Sequence, residues 1–269
     1  STVIVIEPND INLLESTLQK NEDVAAVIIE PTGAHMGADP VHPEFLEQLR
    51  QVTRRYDVIL VFDEVVTGFR ASPGGAQARY GVTPDMTTMA KILAGGLPGG
   101  AVAGRAELIN MLEFHDDAEW DATRRIVHQG TFNANPLSAA AGSTALELVA
   151  TTPVNATADA MAKRLKDGLN NLLVRMEIPG CCSGVASMIH LRIGVAHECD
   201  KEVCTLSISE LNETRNSPVN HPLRLALFNA GVDTSGAALV SAAHRPQDID
   251  RTIEAHEKAF TELREEGIL

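Results

Sequence analysis

The 269-residue sequence predicts an α/β fold, and three observations carry that expectation. The apolar runs at 24–29 and 58–62 are continuous rather than alternating, as strands buried on both faces of a parallel sheet must be. Between them lies a stretch with Pro43 at a first helical position and Leu46, Leu49, Val52 and Tyr56 at helical spacing, which completes a right-handed βαβ unit. After Pro179-Gly180 the order of strands and helices changes and reads as α+β.

Taken in order, residues 3–6 form a short β-branched run and are expected as the first strand. Strands follow at 24–30, 58–63, 86–89 and 101–104, then a small-residue helix at 137–149. A long helix over 156–176 carries Met161, Leu165, Leu169, Leu172 and Met176 on one face. Beyond it come a strand at 185–193, a short helix at 222–229, a strand at 238–241, and a last helix from Pro246 that stops at Gly267. A domain boundary is expected near residue 150. Residues 1–150 would form part of a large domain with a mostly parallel sheet, and 151–269 a small α+β domain.

Composition excludes some functions. The 36 acidic and 22 Lys or Arg side chains leave a net charge of −14, which repels phosphate backbones and argues against nucleic-acid binding. No run reaches the roughly 18 uncharged apolar residues of a membrane span, so no membrane partner is expected. The N-terminus lacks secretory-signal features, and a cytoplasmic location is expected. Cys181, Cys182, Cys199 and Cys204 match neither a zinc-knuckle nor a redox-motif spacing. They are expected as reduced thiols, with no metal site.

Three segments could carry chemistry. Asp63-Glu64 ends a buried strand, where open α/β sheets bind ligands. Two acids there could hold a metal, act as acid and base, or pair with a cationic cofactor; strand-end solvation is the plainer reading. Lys91 is flanked by small and apolar residues and followed by Gly95-Gly96. A desolvated lysine loses its proton readily and suits Schiff-base chemistry, although a lone lysine more often snorkels. Gly130 and Thr131, just before a helix, offer a backbone N–H and a hydroxyl to an anion, with capping by Asn133 or Asn135 as the alternative. Aspartate, lysine and hydroxyl together are the set a pyridoxal phosphate site needs.

The segments 63–70 (DEVVTGFR), Lys91 with Gly95-Gly96-Leu97-Pro98, and 130–137 (GTFNANPL) resemble the class-III aminotransferases of pyridoxal phosphate fold type I. Within that family the chain is most similar to the glutamate-1-semialdehyde aminomutase-like branch. The resemblance implies pyridoxal 5'-phosphate as cofactor, with Asp63 on the pyridinium nitrogen and Val65 against the ring. It implies that Lys91 forms the Schiff base and then moves the proton. It gives Gly130 and Thr131 to the phosphate, Thr131 reaching the cofactor of a neighbouring subunit in a homodimer with a shared site. An amino donor and a keto acid or aldehyde acceptor would be the substrates.

The sequence also departs from the pattern. Family members carry a phosphate-cradling turn ahead of the matched residues, and none precedes Val3, so the chain is expected to be a C-terminal portion with compromised cofactor binding. Aminomutases of the branch have a glutamate near the position of Gly236. A glycine there favours an aminotransferase that releases its product over glutamate-1-semialdehyde 2,1-aminomutase. A non-catalytic remnant or partner subunit is the third reading. His35 occupies a loop and is expected in solvent; His244 is expected to order the turn into the last helix, and Trp120 to pack.

Overall fold

The computed structural model describes residues 2–197, 202–234 and 236–269. Contacts divide the chain into two units, one of residues up to 31 with 42–151, the other of 32–41 with 152–269. Ten residues that precede the first unit's main helix therefore pack with the second.

In the first unit, strands β1 (Ala26–Ile29), β2 (Ile59–Glu64), β3 (Met86–Ala90) and β4 (Gly100–Gly104) lie side by side in chain order. The first three are parallel and β4 runs antiparallel to β3. Helix α1 (Ile11–Lys20) begins at Asp10, whose carboxylate accepts the Leu13 N–H at 2.9 Å. Its buried pair, Leu14 and Leu18, is too sparse a stripe to have been read from the sequence. Helix α2 (Pro43–Arg55) buries Phe45, Leu46, Leu49 and Val52, and β2 buries Leu60 and Phe62. Pro43 starts α2 as expected, since its missing N–H costs nothing in a first turn.

Asp85, at the start of β3, fastens this layer. Its carboxylate accepts from Arg50 at 2.7 and 3.3 Å, from the Leu60 N–H at 2.8 Å and from Arg105 at 3.3 Å. Burial pushes the Asp85 carboxyl up, but the Arg50, Leu60 and Arg105 hydrogen bonds outweigh it and hold the group below its ordinary value.

The run at 3–6 forms no strand. Val3 and Val5 are 67% and 88% exposed, and β-branched preference alone does not make a strand. Further along, α3 (Gly75–Tyr80) follows β2, and α4 (Pro136–Thr151) closes the unit.

The second unit sets helices α5 (Val154–Arg175), α6 (Ile208–Arg215), α7 (Asn220–Asn229) and α8 (Pro246–Glu265) with an antiparallel sheet ordered β5 (Gly180–Ser183), β6 (Met188–Ile193), β7 (Ala237–Leu239). The single strand expected at 185–193 is thus corrected to β6 preceded by a hairpin turn. Gly184, at φ +143°, makes that turn, because a Cβ there would fall 2.0 Å from the Met188 carbonyl oxygen. Leu165, Leu169, Leu172, Ile189, Ile193, Phe260 and Leu263 form the core. On the other face of β6, His190 and Arg192 reach segment 32–41. His190 Nε2 donates to the Met36 carbonyl at 3.0 Å, and Arg192 donates to the Gly37 carbonyl at 2.9 Å. These bonds hold His35 and Met36 at positive φ (+52° and +67°).

Of the thiols expected to be reduced, Cys182 and Cys204 are free and buried. Cys181 is engaged in a disulfide, which corrects that expectation. Cys199 lies outside the described residues. Among the described residues no helix is long and apolar enough to cross a membrane.

Candidate active site

Strand alternation separates the two acids that end β2. Glu64 points inward and is 1% exposed. Its carboxylate accepts the Ala76 N–H at 2.6 Å, the Gln77 N–H at 3.2 Å, Gln77 Nε2 at 3.0 Å and Thr67 Oγ1 at 3.1 Å. It therefore caps the start of α3 and fixes the turn after β2, where Gly68 passes so close that a Cβ would lie 2.7 Å from the Glu64 carbonyl oxygen. The possible acid pair of the sequence is not a pair, because consecutive strand residues face opposite sides.

Asp63 takes the other face. Its Oδ1 accepts the Val65 N–H at 3.1 Å and Thr88 Oγ1 at 3.2 Å; Thr88 is its register partner on β3. No hydrogen bond among the described residues occupies Oδ2. Val65 follows directly in the turn and is half-buried.

Lys91 is the first residue after β3, so lysine and aspartate stand at the carboxyl ends of adjacent parallel strands. It adopts φ +53°, a conformation a non-glycine residue takes only where its surroundings impose it. The imposing contact is α4. A Cβ on Gly142 would lie 2.4 Å from the Leu93 carbonyl oxygen, and one on Gly95 would lie 2.4 Å from the Ala141 carbonyl oxygen. Two glycines thus let the lysine turn and the helix touch backbone to backbone, which the small-residue composition of 137–149 signalled only as a pattern. Ser138 Oγ adds a hydrogen bond to the Pro98 carbonyl at 2.8 Å. Lys91 is exposed and has no ion-pair partner among the described residues, so the apolar burial inferred from its sequence neighbours is not what the structure gives.

Gly130 and Thr131 sit in the exposed turn before α4, whose first N–H groups are capped by Asn135 Oδ1 (Leu137 and Ser138, both 3.1 Å). No hydrogen bond among the described residues joins Thr131 to Asp63 or Lys91. Trp120 packs on His115, ring centroids 4.6 Å apart. His244 Nδ1 accepts the Ser241 N–H at 3.0 Å and orders the turn into α8.

Residues 7–207 match the family model described as aminotransferase class-III. The chain belongs to the class-III aminotransferase family. Class-III aminotransferases use pyridoxal phosphate. The chain is 36% identical over 258 residues to glutamate-1-semialdehyde 2,1-aminomutase 2 of Brevibacillus brevis, covering 96% of this chain and 57% of that protein. It is 33% identical over 263 residues to the aminomutase of Sulfurisphaera tokodaii, covering 98% and 60%. Among solved structures it is similar to an omega-transaminase from Sphaerobacter thermophilus (TM-score 0.80, 30% identity, 97% of this chain and 57% of that one). A glutamate-1-semialdehyde-aminomutase from Pseudomonas aeruginosa PAO1 matches at TM-score 0.80 and 25% identity, over 97% and 56%. The chain therefore spans a little over half the length of the relatives it matches.

The residues present fit pyridoxal phosphate. A carboxylate with an uncommitted oxygen suits a protonated ring nitrogen. A primary amine with no ionic partner, held on a braced turn, suits a carbonyl carbon.

Proposed function

We propose that this chain carries the lysine-bearing part of a pyridoxal phosphate-dependent aminotransferase. The observation that supports it best is the placing of Asp63 and Lys91 at the ends of adjacent parallel strands, with the Lys91 turn braced on α4. Bound pyridoxal phosphate would supply the electron sink for the pair left when a substrate proton departs. Asp63, oriented by the Val65 N–H and Thr88, would hold the ring nitrogen protonated through Oδ2. Val65 would pack on the ring. Lys91 Nζ would hold the cofactor covalently at rest, then take the proton from the substrate α-carbon and return it to the cofactor's C4′. Thr131, with the Gly130 backbone, would bind phosphate across the interface of a homodimer. On this reading 1–150 is the cofactor domain, 151–269 the small domain, and the enzyme cytoplasmic. Its substrates are a small amino donor and a keto acid or aldehyde.

The named relatives raise a second reading, glutamate-1-semialdehyde 2,1-aminomutase. Gly236 speaks for the first. It sits at φ +84°, and it offers no carboxylate where aminomutases of the branch are expected to have one.

Titration of the chain with pyridoxal phosphate, followed by borohydride and peptide mapping, tests the reading. A yellow band and a reduced label on Lys91 are expected, and neither in Lys91→Ala. A label fixed at another lysine would sink the assignment. Conversion of glutamate-1-semialdehyde without an external amino acceptor would favour the aminomutase.

A further inference from the structure

In the second unit, β5 and the connection that follows β6 bring two sulfurs to one imidazole. Cys181 and Cys204 are each 2% exposed. His197 Nδ1 lies 3.3 Å from the Val195 carbonyl oxygen. A carbonyl only accepts, so Nδ1 carries the proton and Nε2 presents a lone pair. That lone pair faces Cys181 Sγ at 2.9 Å and Cys204 Sγ at 3.5 Å. Cys181 is disulfide-engaged, and a disulfide sulfur has no proton to give. Two lone-pair atoms therefore face one another at hydrogen-bond distance. In this oxidised state no described group of three His, Cys, Asp or Glu side chains is arranged for a metal.

We propose that, once Cys181 is reduced, Cys181 Sγ, Cys204 Sγ and His197 Nε2 bind a soft divalent cation, zinc, at a structural site. Reduction takes two electrons and two protons from a dithiol, which leaves as its own disulfide. Binding then releases the thiol protons of Cys181 and Cys204 to solvent. With zinc–sulfur and zinc–nitrogen bonds of about 2.3 and 2.0 Å, a tetrahedral site has a sulfur–nitrogen edge of about 3.5 Å. Cys204 and His197 already span that edge, and Cys181 needs only to draw back slightly. The Nδ1–H bond to the Val195 carbonyl is the outer contact that commits a ligating histidine to its Nε2 lone pair. Arg192 lies within electrostatic reach of Cys204. Two thiolates and an imidazole select zinc over the hard cations, which prefer oxygen. The three ligands leave one position of the tetrahedron.

The test uses the full chain reduced with a phosphine, with Co2+ as the optical probe and Zn2+ as competitor. One Co2+ per chain is expected, with the intense visible bands of tetrahedral cobalt and a thiolate charge-transfer band, both erased by one equivalent of Zn2+. Cys204→Ser and His197→Ala should each lose the tetrahedral spectrum, while Cys182→Ala keeps it. The chain left oxidised should take up no Co2+. A pale octahedral spectrum in the reduced chain, or a tetrahedral one that survives both ligand substitutions, would overturn the proposal. The spectrum of the unsubstituted chain decides the matter if a variant does not fold.

Discussion

Asp63 and Lys91 divide the proposed chemistry by charge, and each can be tested alone. Asp63→Asn keeps an acceptor for the Val65 N–H and the Thr88 hydroxyl but removes the charge that would hold the ring nitrogen protonated. Transamination is expected to fall about 100-fold or more with the fold intact, measured as the half-reaction with a panel of amino donors. Asp85 has a structural task. Asp85→Ala leaves Arg50 buried without its carboxylate and is expected to cost about 3–5 kcal/mol, read from urea denaturation. The Asp85 carboxyl titrates below its ordinary value in the folded chain. Its contribution is therefore fully present above the ordinary carboxylate value and lost as pH falls through the folded-state value. His190 adds a second acid-sensitive point. Burial, and then Arg192, push it down from 6.5 to about 4. The unfolded chain takes up that proton first, so stability is expected to drop as pH falls from about 6.5 and to level off below about 4. His190→Gln, which keeps a donor for the Met36 carbonyl, should flatten that part of the pH profile.

At the level of elements, the lysine turn depends on a helix that contributes no catalytic group. Gly142→Ala puts a Cβ where the Leu93 carbonyl lies, so α4 and the turn must separate. The expected cost is about 1–3 kcal/mol, with slower borohydride labelling of Lys91 by pyridoxal phosphate than in the unsubstituted chain. The sequence made the strands β1 and β2 legible because their apolar runs are unbroken, although β1 is partly exposed and β2 buries alternate residues. It made α2, α5 and α8 legible because their stripes are long. It misjudged residues 3–6, which form no strand, and it missed β5 and read the turn residues 185–187 into β6. Asp63, Lys91 and Thr131 could be named because their segments hold to a family pattern. Glu64's capping role and the Gly95–Gly142 approach could not, because both depend on backbone brought near in space rather than in sequence.

At the level of the molecule, β1 and β4 are the two edges of a four-stranded sheet, with Ile28 64% exposed on β1 and all of β4 exposed. Open edges of this kind template further pairing, and the net charge of −14 opposes it by repulsion. Light scattering of the chain is therefore expected to rise with added salt, as screening weakens the repulsion. The proposed shared site predicts complementation. Lys91→Ala and Thr131→Val chains should each bind pyridoxal phosphate poorly, and mixing them should restore one competent site per mixed dimer. No gain on mixing would place Thr131 outside the partner's site.

The neighbouring acids at the end of β2 have one further consequence. Asp63 and Glu64 differ by a single methylene, yet one faces the proposed site and the other ties down a helix, and which does which is set only by odd or even position along the strand. Deleting one residue from 59–62 while keeping the strand's pairing would swap the two carboxylates. The longer acid would then stand where the cofactor nitrogen is expected, and the shorter would fall short of the Ala76 and Gln77 N–H groups. Either residue can be exchanged by itself, but the strand between them and α2 cannot change length by one. Insertions and deletions in relatives of this chain should therefore avoid β2 altogether or arrive there in twos.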